Sequence, residues 1–299
     1  MGTYRKILLA TDFSEQARKA AAVAVRVARG DEAQLHVLHV DVIAQHDLAG
    51  FDHPPLAEHV SSFDQVAMGA VGRDVDVSYR DSVTAIIRDT SEAGGILRYA
   101  AQKGIDLIVI GTHGRSPLAE AFMGSVAQRV VRDSAISVLV VGPHQQETAP
   151  AGGKHVMLAP VDFSARSALA LAHAGGLAAE RDAHLIALYA IDFARVAYGT
   201  LLPQAQAEEQ AREELEHFVT KARLPVEAEL LIGIGHAEQV IFDVAHKRGV
   251  SLIVMAPSSH GPIDRILLGS VTKGVVRGAP CPLLIHREPA IQAREQAVA

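Results

Sequence analysis

The 299-residue chain contains no tryptophan and one cysteine, Cys281. A single thiol cannot close an intramolecular disulfide, so the chain is expected to fold without cross-links, and a cytoplasmic location is the simplest expectation. Aromatic residues make up only 4%, which disfavours a carbohydrate-binding β-sandwich. There is no excess of basic residues either. Lys and Arg number 28 against 34 Asp and Glu, a net charge of −6, so no broad nucleic-acid footprint is expected, although local anion sites stay open. Mean hydropathy is +0.17, yet charge or polar residues break every apolar run before the roughly 18 residues that a membrane span needs, so no membrane partner is expected. The opening Met1–Ala10 stretch runs straight into a strand-like pattern and then Asp12, which does not fit a signal peptide.

Apolar residues, by contrast, reach 49% and charged residues 21%, enough for a packed core. Ala, Val, Leu and Ile dominate them, a composition suited to parallel strands packed under alanine-rich helices. The length favours two domains of about 150 residues each.

An internal repeat supports that division. Asp12-Phe13-Ser14 recurs as Asp162-Phe163-Ser164 at an offset of 150, and Leu35–Val40 falls on Leu185–Ala190. Asp106–Ile110 then falls on Ser251–Met255 at an offset of 145, followed by Gly124-Ser125-Val126 on Gly269-Ser270-Val271 and Val138–Val140 on Leu283–Ile285. Two homologous halves, residues 1–144 and 154–299, are therefore expected. The Pro- and Gly-containing stretch Gly142–Gly153 reads as their linker, and residues 287–299 as a loose tail. In the first half the strands read as 5–11, 34–40, 83–88, 106–111 and 137–141, continuous apolar runs of the kind buried on both faces of a parallel sheet. Ser14 reads as the N-cap of a helix with an apolar stripe of Ala20, Val23, Ala24 and Val27, stopped by Gly30.

The stretch after Leu107–Ile110 carries the chemistry. Gly111, Gly114, Gly124 and Ser125 form a G-x2-G-x9-G-S string that also contains His113 and Arg115. Closely spaced glycines let a backbone approach a ligand without Cβ interference, and Gly124-Ser125 opens a helix whose free N–H groups suit a phosphate. Glycines serve any tight strand-to-helix turn equally well, so the string alone leaves both readings open.

The combination of a strand-end Asp12, this glycine string and the closing Val138-Leu139-Val140-Val141 resembles the universal stress protein family, here as a tandem covering nearly all of both halves. The resemblance implies two open-sheet α/β domains, each a five-stranded parallel sheet of order 3-2-1-4-5 with helices on both faces. It implies an adenine nucleotide, ATP with Mg or Mn, at the carboxyl ends of strands 1 and 4. Asp12 and Gly111 would meet the ribose, the backbone around Val40 the adenine edge, and Gly114, Gly124, Ser125 and Val126 the phosphates. Ala10 and Thr11 would line the base pocket, with His113 and Arg115 in the same loop. It further implies an intramolecular pseudo-dimer of the two halves through their final strands, with a homodimer also open.

The second half departs from this pattern. Gly111 aligns with Ala256 and Gly114 with Ser259, Pro257 supplies no N–H, and Gly261 lies two residues beyond Ser259. Only Asp162, Gly269, Ser270 and Val271 keep their places, so the second half is expected to be structural or regulatory, with at most a weak nucleotide site.

Other constellations are less pointed. His36 and His39, three apart on a strand, face opposite sides and cannot share one ion. His46, His53 and His59 lie with Asp47 and Asp52 in the long second connection, without the compact spacing of a zinc site, and no metal is assigned to protein side chains. Cys281, between two prolines, reads as a small core residue, and Gln204–His217 as an acidic amphipathic helix anchored by Leu215 and Phe218. No catalytic dyad emerges. An ATP-binding stress-response regulator leads, a nucleotide-free interaction scaffold is the alternative, and enzymatic activity is expected to amount to slow ATP hydrolysis at most.

Overall fold

The computed structural model describes residues 2–42, 79, 81–112, 123–143, 154–192, 204–257 and 269–288. The chain divides into two compact units, Met1–Pro143 and His144–Ala299. The first contains β1 (Lys6–Ala10), α1 (Glu15–Asp31), β2 (Gln34–Val42), β3 (Ser82–Asp89), α2 (Glu92–Lys103), β4 (Leu107–Gly111), α3 (Ser125–Asp133) and β5 (Ser137–Val141). The second contains β6 (Val156–Val161), α4 (Ala165–Glu180), β7 (His184–Ile191), α5 (Gln204–Ala222), β8 (Ala228–Ile234), α6 (Ala237–Lys247), β9 (Leu252–Met255), α7 (Ser270–Gly278) and β10 (Leu283–Ile285). No helix among the described residues is long and apolar enough to cross a membrane.

The strands of the first unit are all parallel and ordered β3-β2-β1-β4-β5. β1 sits in the middle, paired through Ile7↔Leu35 on one side and Ile7↔Leu107 on the other. Ile7, Leu8, Leu9, Ile108 and Val109 are buried, because a central parallel strand is covered on both faces. The second unit repeats the order as β8-β7-β6-β9-β10. In each unit the order reverses direction at the central strand, so a crevice opens beyond the carboxyl ends of β1 and β4 or of β6 and β9.

The helices start where the sequence says and depart from it in detail. Ser14 caps α1, its side chain accepting from the Ala17 N–H at 3.2 Å. Gly30 does not stop the helix, contrary to expectation. The chain runs on to Asp31 and turns at Glu32, which adopts a left-handed φ of 53°. The reason lies in Asp31, whose buried carboxylate accepts the Tyr4 N–H at 3.0 Å and fastens the last turn to the start of β1. The buried stripe also differs from the expected one. Ala17, Ala20, Ala21, Ala24, Val25 and Ala28 are buried, while Val23 and Val27 are only half-buried. The small alanines let the helix lie close to the sheet, and the two valines are turned to its flanks. α5 extends five residues past His217, with Ala211 and Leu215 buried and Phe218 half-buried, its ring packed edge-on to Phe163 at 5.4 Å.

Candidate functional site

Beyond the ends of β1, β2 and β4 lies a cleft of about 470 Å³, within the range of small-molecule sites. It gathers Ala10, Thr11, Asp12, Val40, Gly111, Gly124, Ser125 and Val126 into one lining. Expected residues His113, Gly114 and Arg115 lie outside the described residues.

One wall is the turn that follows β1. Thr11 donates its N–H to the Leu38 carbonyl at 2.9 Å, the last bond between β1 and β2. The chain then folds back on itself. The Thr11 hydroxyl accepts the Phe13 N–H at 3.1 Å, and the Asp12 carboxylate accepts the Ser14 N–H at 3.0 Å. Phe13 takes a left-handed φ of 62°, uncommon for a residue with a Cβ, and its ring lies 4.8 Å from that of His39. The effect is to aim Asp12 into the cleft from a short, internally bonded turn.

The opposite wall is the start of α3. β4 ends at Gly111, Thr112 donates its N–H to the Val141 carbonyl at 3.0 Å, and the Thr112 carbonyl accepts the Gly124 N–H at 2.7 Å. Thr112 and Gly124 are thus joined by a direct backbone hydrogen bond at this wall. Gly124 caps α3 without a side-chain hydrogen bond, so the amides of Ser125, Val126 and Ala127 have no partner within the helix. They carry the positive end of its dipole towards the cleft.

The third wall is β2 with the first turn of α2. Amide direction alternates along β2: the Gln34 N–H reaches the Arg5 carbonyl and the Leu35 N–H the Asp81 carbonyl. Even-numbered residues therefore face β1, and Val40 turns both its N–H and its C=O into the space that β1 has left. Gly95 of α2 packs on Val40 so closely that a Cβ there would sit 2.8 Å from a Val40 methyl.

Leu38, His39, Glu92, Ile96, Ile110 and Thr112 also line the cleft and were not anticipated. The alternation of β2 and the 3-2-1 strand order together carry a signal for His39 and Glu92, since they bring the end of β2 and the helix after β3 beside the end of β1. His36 faces away from the cleft, its Nδ1 bonded to the Tyr99 hydroxyl at 3.0 Å. Burial, then the ammonium groups of Lys6 and Lys103, push it below its ordinary pKa.

In the second unit Asp162 opens the turn after β6, Gly269 caps α7, and Ser270 and Val271 open that helix. Phe163 repeats the left-handed turn with φ 60°, packed on Tyr189 at 4.3 Å. Ser164 donates both its hydroxyl, at 2.5 Å, and its N–H, at 3.1 Å, to the Asp162 carboxylate. Burial works to raise the Asp162 pKa, and the hydrogen bonds from Ser164 and Ser167 outweigh it, leaving the carboxyl below its ordinary value. β9 is followed by Ala256 and Pro257 where the first unit has Gly111 and Thr112.

Comparison with known proteins gives a consistent picture. The model of the universal stress protein family matches residues 3–142 and again 154–287. The universal stress protein YxiE of Bacillus subtilis is 31% identical over 148 residues, 46% of this chain and 99% of that protein. A universal stress protein of Methanocaldococcus jannaschii is 33% identical over 138 residues, 44% of this chain and 80% of its own length. Among solved structures, a functionally unknown protein from Pseudomonas aeruginosa covers 99% of this chain and 97% of its own, with a TM-score of 0.65 at 18% identity. That likeness speaks to the fold.

Proposed function

Because this chain belongs to the universal stress protein family through both of its halves, we propose that it is a nucleotide-binding regulatory protein whose first half holds one adenine nucleotide, ATP with Mg or Mn. The observation that supports this most is the convergence of three complementary groups on one cleft: the Val40 backbone, the Asp12 carboxylate and the start of α3. The Val40 N–H and C=O offer a donor and an acceptor that complement the ring nitrogen and exocyclic amine of adenine. Asp12 accepts from ribose hydroxyls. Gly111 lies with Asp12 at the ribose, and the amides at the start of α3, Gly124, Ser125 and Val126, with the loop that carries His113, Gly114 and Arg115, receive the phosphates. In this reading the divalent ion bridges the phosphate oxygens of the nucleotide.

The second half has a structural or regulatory role in this reading, because Ala256 and Ser259 stand where the first half has Gly111 and Gly114, and Pro257 supplies no N–H. Gly114→Val tests the assignment. A branched side chain where the phosphate meets the backbone is expected to abolish ATP binding with the fold retained, and undiminished affinity in that variant refutes the site.

A further inference from the structure

We infer that His39 is a positioning residue that holds the base-reading edge of the first-half cleft open, by taking the backbone acceptor that would otherwise close it. This deepens the nucleotide-binding reading and rests on it for its functional consequence.

The argument begins with the parallel ladder. In register with Gln34 N–H to Arg5 C=O, each even residue of β2 donates to an odd residue of β1, and the Thr11 N–H returns to the Leu38 C=O at 2.9 Å. The next rung would join the Val40 N–H to the Thr11 C=O. It is replaced. The Nδ1–H of His39 donates to the Thr11 carbonyl at 2.8 Å. A carbonyl at a strand end needs a partner, and here a side chain from the neighbouring strand supplies it. The Val40 amide is thereby spared for the cleft, which both Val40 and His39 line.

The second half supplies an internal control. Its residue at the His39 position is Tyr189, which has no donor at the place of Nδ1. There the ladder runs one residue further: β6 continues to Val161, paired as Val161↔Tyr189, whereas β1 ends at Ala10, paired as Ala10↔Leu38. By the same register, that added pairing places the Val161 carbonyl opposite the Ala190 N–H, the counterpart of Val40. The phenylalanine stays left-handed in both halves, at φ 62° and 60°. The left-handed phenylalanine is therefore shared; the halves differ at Thr11, whose counterpart is Val161, and at His39, and of these two only His39 donates to the carbonyl that the extra rung uses.

The test separates the ring from its donor. His39→Phe keeps an aromatic ring against Phe13 and removes the N–H; His39→Asn loses the ring and keeps an amide N–H near the place of Nδ1. Hydrogen exchange of the Val40 amide, read by NMR on the full chain without nucleotide, is expected to be fast in the parent protein, at least about tenfold slower in His39→Phe, and fast again in His39→Asn. ATP affinity, measured in parallel, is expected to fall about tenfold in His39→Phe, the scale of one hydrogen bond, and to recover largely in His39→Asn. Equal Val40 exchange in all three proteins overturns the inference, and so does slowing in His39→Asn. The exchange readout needs no nucleotide. Failure of ATP to bind the parent protein would refute the nucleotide reading while the exchange rates still decide the role of His39.

Discussion

His173 on α4 and His286 just after β10 lie ring on ring, their centroids 4.2 Å apart and their planes 18° from parallel. Burial pushes the pKa of His173 down to about 4, assisted by the charge of Arg181, and that of His286 to about 3, assisted by His173. Two stacked imidazoles cannot both charge without repulsion in a dry site.

The pair makes the second half acid-sensitive. Both folded pKa values lie below the ordinary 6.5, so the unfolded chain binds more protons as the pH drops. The contribution is complete above about pH 6.5 and is lost as the pH falls towards 4 and 3. By pH 5 the loss is on the order of 2 kcal/mol per ring. Denaturant unfolding of the parent and of His286→Phe at pH 7 and pH 5 checks this: the variant should lose less stability than the parent over that interval, and an equal loss refutes the assignment.

Cys281 should be chemically silent in the folded protein. Burial pushes its thiol up to about 12, so almost no thiolate exists at pH 8. A disulfide reagent such as Ellman's is expected to react at least about 100-fold faster in denaturant than in buffer. Rapid reaction of the native protein would contradict the buried placement.

Gly95 permits the approach of α2 to Val40. An added Cβ would lie 2.8 and 3.1 Å from the Val40 methyls and 3.2 Å from the Asp89 Cβ, and neither short side chain can swing clear. Gly95→Ala is expected to cost about 1–3 kcal/mol in stability, the scale of overpacking, and to weaken nucleotide binding by shifting Val40. Chemical denaturation and ATP titration of the variant read both effects; unchanged values in both would show that the helix has room to spare.

Most of the architecture is legible in the chain, and the exceptions have physical reasons. The expected strand 34–40 continues to Val42 because β3 keeps pairing with β2, through Asp41↔Arg88 and Val42↔Asp89, after β1 has turned away. Such a cross-strand pairing leaves no trace in local periodicity. Gly30 looks like a helix stop, and the long-range bond from Tyr4 to Asp31, which local pattern does not reveal, fastens the turn beyond it. In the cleft, the glycine string and the strand-end place of Asp12 point to Asp12, Gly111, Gly124 and Ser125, and the family resemblance points to Val40; all five line it. In the sequence His39 stands out only as the neighbour of His36 on the opposite face of one strand. Its actual bond, to a carbonyl on another strand, follows from the register between β1 and β2, which requires the pairing to be known.

Calorimetric titration of the full chain with Mg-ATP tests the central claim most directly. The account predicts saturation at one nucleotide per chain, abolished by Gly114→Val and retained when Gly269→Val alters the corresponding helix start in the second half. No binding, or two equal sites per chain, would contradict it.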